Sequence, residues 1–228
     1  MIDNPQITNQ KYIFITSFST TITGVLCNKP IKLDSNAMSI ELGLPIEKIA
    51  IPEQIHSNHV KFIKFPGEYI GADGLITNNS NIILLLKVAD CTPIYLFDKR
   101  LLIFGLIHSG WRGTVDKIII NAINCMLKHG SNLSDILISL GPAIGICCYE
   151  VGDEVAKHFD EGARIRQNNS KWRVGIHEQI VIDLIKFGLP LSNINKSNIC
   201  TFESNDCQSY RRDGINAGRM LGLMGNIK

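Results

Sequence analysis

Two side chains able to build a reactive centre lie where one apolar segment begins and another ends. Pro93 to Phe97 and Leu101 to Ile107 are strand-length runs separated only by Asp98-Lys99-Arg100. That spacing predicts a β-hairpin. If Asp98 pairs with Leu101 across a two-residue turn, the numbers of cross-strand partners sum to 199, and Cys91 faces His108 at the open end. Lys-Arg is not a favoured turn pair, so a bulge could shift this register by one. Directly opposed side chains hold their Cβ atoms about 4.5–5.5 Å apart. A thiolate and an imidazole at that distance can share a metal ion or act as nucleophile and base. The plainer alternative is a buried cysteine beside a hydrogen-bonded histidine.

A metal centre needs a third donor. His56 precedes Cys91 by 35 residues, too far for a local zinc-finger spacing. Such gaps suit an assembled catalytic site, in which three protein ligands leave a fourth position for water or substrate. His59 competes with His56. The segment from Ile55 to Phe65 is expected to be a strand ended by Pro66-Gly67, which would send positions 56 and 59 to opposite faces. The chemistry alone admits either one. His129, His158 and His177 fall on or beside expected helices and read as surface or core residues.

Two further segments could bind an anion. Ser109-Gly110-Trp111-Arg112-Gly113-Thr114 leads from a strand into a helix, where free N–H groups and the helix dipole favour negative charge. Arg112 adds a planar cationic fork. The alternative is a tight turn with Trp111 in the core and Arg112 in solvent. In Ser209-Tyr210-Arg211-Arg212-Asp213-Gly214, strand alternation would send Arg211 and Arg212 to opposite faces, with Arg219 following. A solvated strand end explains it as well. Cys200 and Cys207 are separated by six residues and Cys147-Cys148 are adjacent. Neither spacing suggests a metal site, and these cysteines read as structural.

The elements that must position these groups alternate irregularly. Strands are expected from Ile13 to Phe18, Ile82 to Leu86, Ile136 to Leu140, Ile199 to Phe202 and Ser209 to Arg212. The unbroken apolar run at 82–86 suits a strand covered on both faces. A helix from Val115 to His129 follows from apolar positions 115, 118, 119, 122, 123 and 126, with Thr114 to cap it and Gly130 to stop it. Other helices are expected over Asn36 to Leu42, Asp153 to Phe159 and Glu178 to Phe187, and an exposed polar loop over Glu161 to Ser170. The lack of a clean βαβ rhythm favours α+β with mixed sheets. No dinucleotide or P-loop glycine motif is present.

Composition narrows the function classes. With 228 residues, 45% hydrophobic and 19% charged, the chain has an ordinary globular make-up, read here as a single domain over 1–228. A formal net charge of +2 does not predict nucleic-acid or membrane binding. The longest apolar runs fall far short of the roughly 20 residues that span a bilayer. No basic segment followed by an apolar core opens the chain, so no signal peptide is expected. Seven cysteines then read as reduced thiols in a cytoplasmic protein.

Taken together, a series of short blocks resembles the YfiH-like, or laccase-domain, family. They are Gln54-Ile55-His56, Ala72-Asp73-Gly74-Leu75-Ile76-Thr77, Ala89-Asp90-Cys91-Thr92-Pro93, and His108-Ser109-Gly110-Trp111-Arg112-Gly113. Gly141-Pro142-Ala143-Ile144-Gly145, Cys147-Cys148-Tyr149-Glu150-Val151-Gly152, Cys200-Thr201, Ser209 to Gly214 and Gly218-Arg219-Met220 continue the series. Proteins of that family were first described as polyphenol oxidoreductases, later as purine nucleoside phosphorylases with adenosine deaminase activity.

The resemblance implies a four-layer α/β/β/α fold with mixed sheets, and zinc held by His56, Cys91 and His108. It implies a purine nucleoside and phosphate as substrates, and a monomer or homodimer without nucleic-acid or membrane partners. Catalysis is then expected of the three metal ligands with Asp90 and Arg112, and Asp90 or Asp73 could move a proton. Substrate contacts are expected of Gln54, Asp73, Arg112, Gly113, Arg211 and Arg212. Thr21 stands where the family usually carries an Arg, a difference that bears on nucleoside choice. Three other readings compete: a copper-dependent polyphenol oxidase, a metal-free hydrolase with Cys91 as nucleophile and His108 as base, and a binding module with a structural zinc.

Overall fold

The computed structural model describes residues 7–9, 12–19, 22–27, 44–167 and 170–227. In chain order the strands of the first half are β1 (Ile7–Asn9), β2 (Tyr12–Ser17), β3 (Thr23–Cys27), β4 (Ile49–Pro52), β5 (Val60–Phe62), β6 (Gly67–Tyr69), β7 (Gly74–Thr77), β8 (Ile83–Val88), β9 (Thr92–Asp98) and β10 (Phe104–Ser109). Then come α1 (Trp111–Val115), α2 (Ile118–Lys128), β11 (Ile136–Leu140), β12 (Glu150–Gly152), α3 (Asp153–Ala156), β13 (Arg164–Arg166), β14 (Lys171–Val174), α4 (Ile176–Phe187), β15 (Ile194–Lys196), α5 (Tyr210–Asp213) and β16 (Met220–Gly225). Seven strands form one sheet in the order β1-β2-β3-β16-β8-β4-β6, and six form a second, β15-β11-β9-β10-β7-β5. Both are mixed: β4 runs parallel to β6 and β8, β5 to β7 and β11 to β15. The fold is α+β with mixed sheets, as expected.

The two large sheets pack face to face. Leu26, Leu84, Leu86 and Met220 from the first meet Leu75, Tyr95, Phe97, Phe104 and Leu106 from the second. Alternation along β8 sends Leu84 and Leu86 into this core, and Ile83 and Leu85 outward to Leu44, Ile49, Leu221 and Leu223. Burial on both faces is why 82–86 reads as an unbroken apolar run. On the far side of the second sheet, Ile76, Ile94, Leu96 and Ile107 pack under Ile119, Ile123 and Met126 of α2 and Ile180 and Leu184 of α4. The helix expected over 36–42 lies outside the described residues, as does Thr21.

Tyr95 links the sheets. It is fully buried, and its hydroxyl donates across the layer to the carbonyl of Val25 at 2.8 Å. Two glycines of the first sheet make room for it. A Cβ on Gly24 would lie 2.7 Å from the Tyr95 ring, and one on Gly222 3.2 Å from its hydroxyl.

Several local expectations are corrected. The β9–β10 hairpin pairs His108 with Pro93 and Phe104 with Phe97, a shift of two positions from the expected register. The connecting turn is longer because the Asp98 carboxylate accepts the N–H groups of Arg100 (2.7 Å) and Leu101 (2.8 Å), and Leu102 takes a left-handed φ of 56°. An even shift preserves the faces, so Cys91 and His108 are diagonal neighbours rather than opposed. The helix expected over 115–129 is two helices, broken at Lys117 (φ 61°), whose ammonium pairs with Asp183 at 2.8 Å. Thr114 caps neither of them; its hydroxyl bonds to the Gly110 carbonyl at 2.9 Å.

The helix from Asp153 stops at Ala156. Within the expected polar loop, β13 joins β12 and β14 in a third small sheet. Cys200 makes an isolated bridge to Ala143 rather than part of a strand, and 210–213 is a helical turn started by the Ser209 hydroxyl, which accepts the Arg212 N–H.

Removing the Tyr95 hydroxyl leaves the Val25 carbonyl buried without that donor. Tyr95→Phe is expected to lower stability by about 1–3 kcal/mol, read as a lower urea midpoint with unchanged m-value.

Candidate active site

His56 does not sit on a strand. The chain leaves β4 at Pro52, and residues 53–59 form a loop in which Gln54 (φ 64°) and His56 (φ 60°) are left-handed. Such conformations cost about 1–3 kcal/mol each outside glycine, so the loop needs strong anchors. One is Gln54, whose amide donates to the Lys87 carbonyl (2.7 Å) and accepts the Lys87 N–H (2.8 Å). The other is Asp73, fully buried at the start of β7. Its carboxylate accepts the N–H groups of Ile55 (3.2 Å), His56 (2.9 Å) and Ser57 (2.7 Å), and the Ser57 hydroxyl (2.7 Å).

The same carboxylate holds the other histidine. Asp73 Oδ1 lies 2.9 Å from Nδ1 of buried His108. A carboxylate only accepts, so Nδ1 carries the proton and Nε2 is left for a partner on the far side. Burial opposes ionisation of Asp73, but the bonds from His108 and Ser57 outweigh it and hold its pKa at about 2.

Cys91 completes the group. It follows Asp90, another left-handed residue (φ 76°), and its Sγ lies 4.0 Å from His56 Nε2. The rings of His56 and His108 meet edge to face, with centroids 4.8 Å apart. One donor atom from each of the three residues falls within 4.8 Å of the others. Gly110, next in line with Cys91 across the hairpin, leaves space for them. A Cβ there would lie 2.9 Å from Cys91 Sγ and 3.2 Å from His56 Cδ2. Burial pushes the Cys91 thiol up, yet hydrogen bonding to His108 and His56 brings it down to about 6, while Asp73 and Cys91 hold His108 up at about 9 against its own burial. His59 points elsewhere, with Nδ1 3.1 Å from the Gly71 carbonyl.

The trio opens onto a cavity of about 600 Å³, also lined by Lys87, Tyr149, Tyr210, Arg112, Arg211 and Arg219. Comparison with known proteins shows the family. The model of the family described as multi-copper polyphenol oxidoreductase laccase matches residues 28–226. The chain belongs to this laccase-domain family. A purine nucleoside phosphorylase of Clostridium acetobutylicum is 32% identical over 217 residues, covering 92% of this chain and 91% of that protein. An adenosine deaminase from an unknown prokaryotic organism is 32% identical over 200 residues, covering 80% of this chain and 76% of its own. The crystal structure of YlmD from Geobacillus stearothermophilus superposes with a TM-score of 0.90 at 25% identity, covering 98% of this chain and 99% of that one.

In this laccase-domain chain the remaining expected site residues divide. Arg112 lines the cavity, its guanidinium 4.6 Å from the centre of the Trp111 ring. Arg211 lines it too, lying 5.0 Å from the Tyr149 ring centre and donating to the Glu150 carbonyl at 2.7 Å. Asp90 reaches the cavity, but its oxygens accept the Thr201 hydroxyl and the Arg211 N–H, each at 2.6 Å.

Arg212 is turned away from the lining. Its guanidinium is held by the carbonyls of Thr201, Phe202, Ser204 and Cys207 and by the Asp213 carboxylate. Gly113 is likewise absent from the lining; it is buried, with the Ser57 carbonyl 3.0 Å from where a Cβ would sit. The helix N-terminus expected at Gly113-Thr114 is not one, because α1 starts at Trp111 and the Thr114 N–H is bonded to the Gly110 carbonyl. Positive charge in the cavity comes instead from side chains. Gln54 lines the cavity with its amide spent on the Lys87 backbone, and Asp73, absent from the lining, is spent on the His56 loop and the His108 ring; both position the site. Lys87 escaped the sequence analysis, and Tyr210 was named there only within its block, without a role, since a lone Lys or Tyr carries no spacing signal.

Asp73→Asn keeps the shape but removes the charge that orients His108. Metal affinity should fall about 10–100-fold, measured by chelator competition. In metal-stripped protein, iodoacetamide labelling of Cys91, followed by peptide mass spectrometry, should rise with pH through a midpoint near 6. A midpoint near the ordinary thiol value would contradict the hydrogen bonding described.

Proposed function

We propose that this chain is a single-domain zinc enzyme acting on purine nucleosides, by phosphorolysis of adenosine, inosine, guanosine or methylthioadenosine and by deamination of adenosine. The observation that carries the reading is the opening of the His56, Cys91 and His108 donors onto a cavity ringed by Lys87, Arg112, Arg211 and Arg219. The relatives named as phosphorylase and deaminase support it.

The three side chains fit zinc. Ideal tetrahedral bonds of roughly 2.3 Å to sulfur and 2.0–2.1 Å to nitrogen put S and N about 3.5 Å apart. The 4.0 Å between Cys91 and His56 exceeds that by about 0.5 Å, a gap that rotation of the two side chains would close on binding. Zinc held by His56, Cys91 and His108 would supply Lewis-acid activation of a water or a substrate heteroatom. Copper is the weaker alternative. Oxygen reduction by multicopper enzymes needs several metal ions, and of the six histidines only His56 and His108 meet here. His129 stacks on Phe62, His177 bonds the Gly141 carbonyl, and His158 is exposed.

In phosphorolysis a phosphate oxygen forms a bond to the ribose carbon as the bond from that carbon to the purine nitrogen breaks. The electron pair departs with the base, which takes up a proton. Arg112 and Arg211 would clamp the dianion, with Lys87 and Arg219 adding charge where it develops. Tyr149, beside Arg211, offers an aromatic edge to the purine. Asp90 fixes the Arg211 backbone and so the position of that clamp. A cavity of about 600 Å³ falls within the range of small-molecule sites. Among the described residues no helix is long and apolar enough to cross a membrane, compatible with a cytoplasmic enzyme of small substrates that works as a monomer or homodimer.

Zinc-replete protein given adenosine and phosphate should release adenine, and without phosphate should release inosine. Formation of neither product would refute the proposal. Arg112→Ala and Arg211→Ala should each raise KM for phosphate about tenfold or more while changing nucleoside KM little, since lost charge-assisted bonds are worth roughly 1.5–3 kcal/mol.

A further inference from the structure

The fold assembles a second set of donors that the cavity does not use. Cys147, Cys148 and Cys200, read above as structural, offer their sulfur atoms, and Glu203 a carboxylate oxygen, all within 4.8 Å of one another. Cys207, seven positions beyond Cys200, is not among them. We propose that Cys147, Cys148, Cys200 and Glu203 form a second metal site, for a thiophilic d10 cation of which zinc is the usual case.

Three thiols and one carboxylate make a four-donor set suited to tetrahedral coordination. Zinc–sulfur bonds of about 2.3 Å in that geometry space the sulfurs roughly 3.8 Å apart. This lies between the 3.3 Å separating Cys147 from Cys148 and the 4.8 Å limit of the set. Small rotations of exposed Cys147 close the difference. The backbone is shaped for the cluster: a Cβ on Gly145 would lie 3.0 Å from the Cys147 sulfur and 3.5 Å from that of Cys200. The Gly145 N–H points at the Cys200 sulfur from 3.3 Å. Although burial opposes it, that bond and the N–H groups of Glu203 and Phe202 hold the Cys200 thiol below its ordinary range. Burial and neighbouring sulfurs push Cys148 the other way. A disulfide would use only two of the three thiols and leave Glu203 idle.

The site would clamp two loops that build the cavity wall. One, between β11 and β12, carries Ile144 and Tyr149. The other runs from the Ala143–Cys200 bridge through Thr201, which bonds Asp90, and supplies the carbonyls that hold Arg212. A cation across them would staple this wall at a point outside the cavity lining.

The test is metal content of protein purified under reducing conditions, loaded with zinc alone and dialysed. Wild type should hold two equivalents per chain, Cys91→Ser one, and Cys147→Ser/Cys200→Ser one. Cys147→Ser alone, at an exposed position, guards against misfolding of the double variant and should weaken the second equivalent at least tenfold in chelator competition. Cobalt(II) loaded into Cys91→Ser should show intense tetrahedral and sulfur-to-metal bands that vanish when the Cys147→Ser/Cys200→Ser pair is added. A folded Cys91→Ser that holds no zinc, or a 147–148 or 147–200 disulfide in the reduced preparation, overturns the proposal. A wild type with one equivalent, lost with Cys91 and indifferent to Cys147, also overturns it while sparing the proposed function. Full retention of zinc in Cys91→Ser would instead strike the cavity centre.

Discussion

Everything at the candidate centre depends on one buried carboxylate. Asp73 gathers three consecutive backbone N–H groups and a hydroxyl from the His56 loop, and with the same two oxygens orients His108. An ionised group in the interior is tolerable only when its lone pairs are satisfied, and here they are satisfied by the elements that must converge. The charge therefore does two things at once. It offsets the left-handed backbone of the loop, and it fixes which nitrogen of His108 faces Cys91.

Around that point the sheets supply rigidity. Tyr95 on β9 reaches into the first sheet, where Gly24 and Gly222 admit it, so the strand that delivers Cys91 is anchored on both sides. Its partner β10 delivers His108 and then Gly110, the absence of whose side chain lets sulfur and imidazole approach. Next to Cys91, Asp90 ties Thr201 and the Arg211 backbone together. The cationic rim and the donor trio are thus joined through consecutive residues, Asp90 and Cys91. Displacement of either loop should be felt by both.

Much of this was legible in the residues. The run at 82–86 announced a strand buried on both faces, and the β9–β10 hairpin was visible from its spacing. Its register was not, because the Asp98 carboxylate builds a longer turn than Lys-Arg suggested. The error was even, so Cys91 and His108 kept a common face. The stretch from 55 to 59 looked like strand because it runs straight into Val60, Phe62 and Ile63, which favour one. Only Asp73, distant in sequence, draws its N–H groups out of a ladder. Arg211 and Arg212 looked equivalent, and the carbonyls that absorb Arg212 come from a loop with no pattern of its own.

By itself the sequence determined the chemical inventory: one cysteine and two histidines at assembled-site spacing, arginines beside them, and an α+β alternation. Side-chain type and hydrophobic period are local properties, readable without knowing what lies nearby. Beyond what the resemblance implied, tertiary structure brought His56 rather than His59 beside Cys91 and His108, set Asp73 beneath both histidines, and brought Cys147 and Cys148 to Cys200. Those outcomes depend on contacts between residues tens of positions apart. Such contacts form only when burying two sheets against each other brings their loops to one edge.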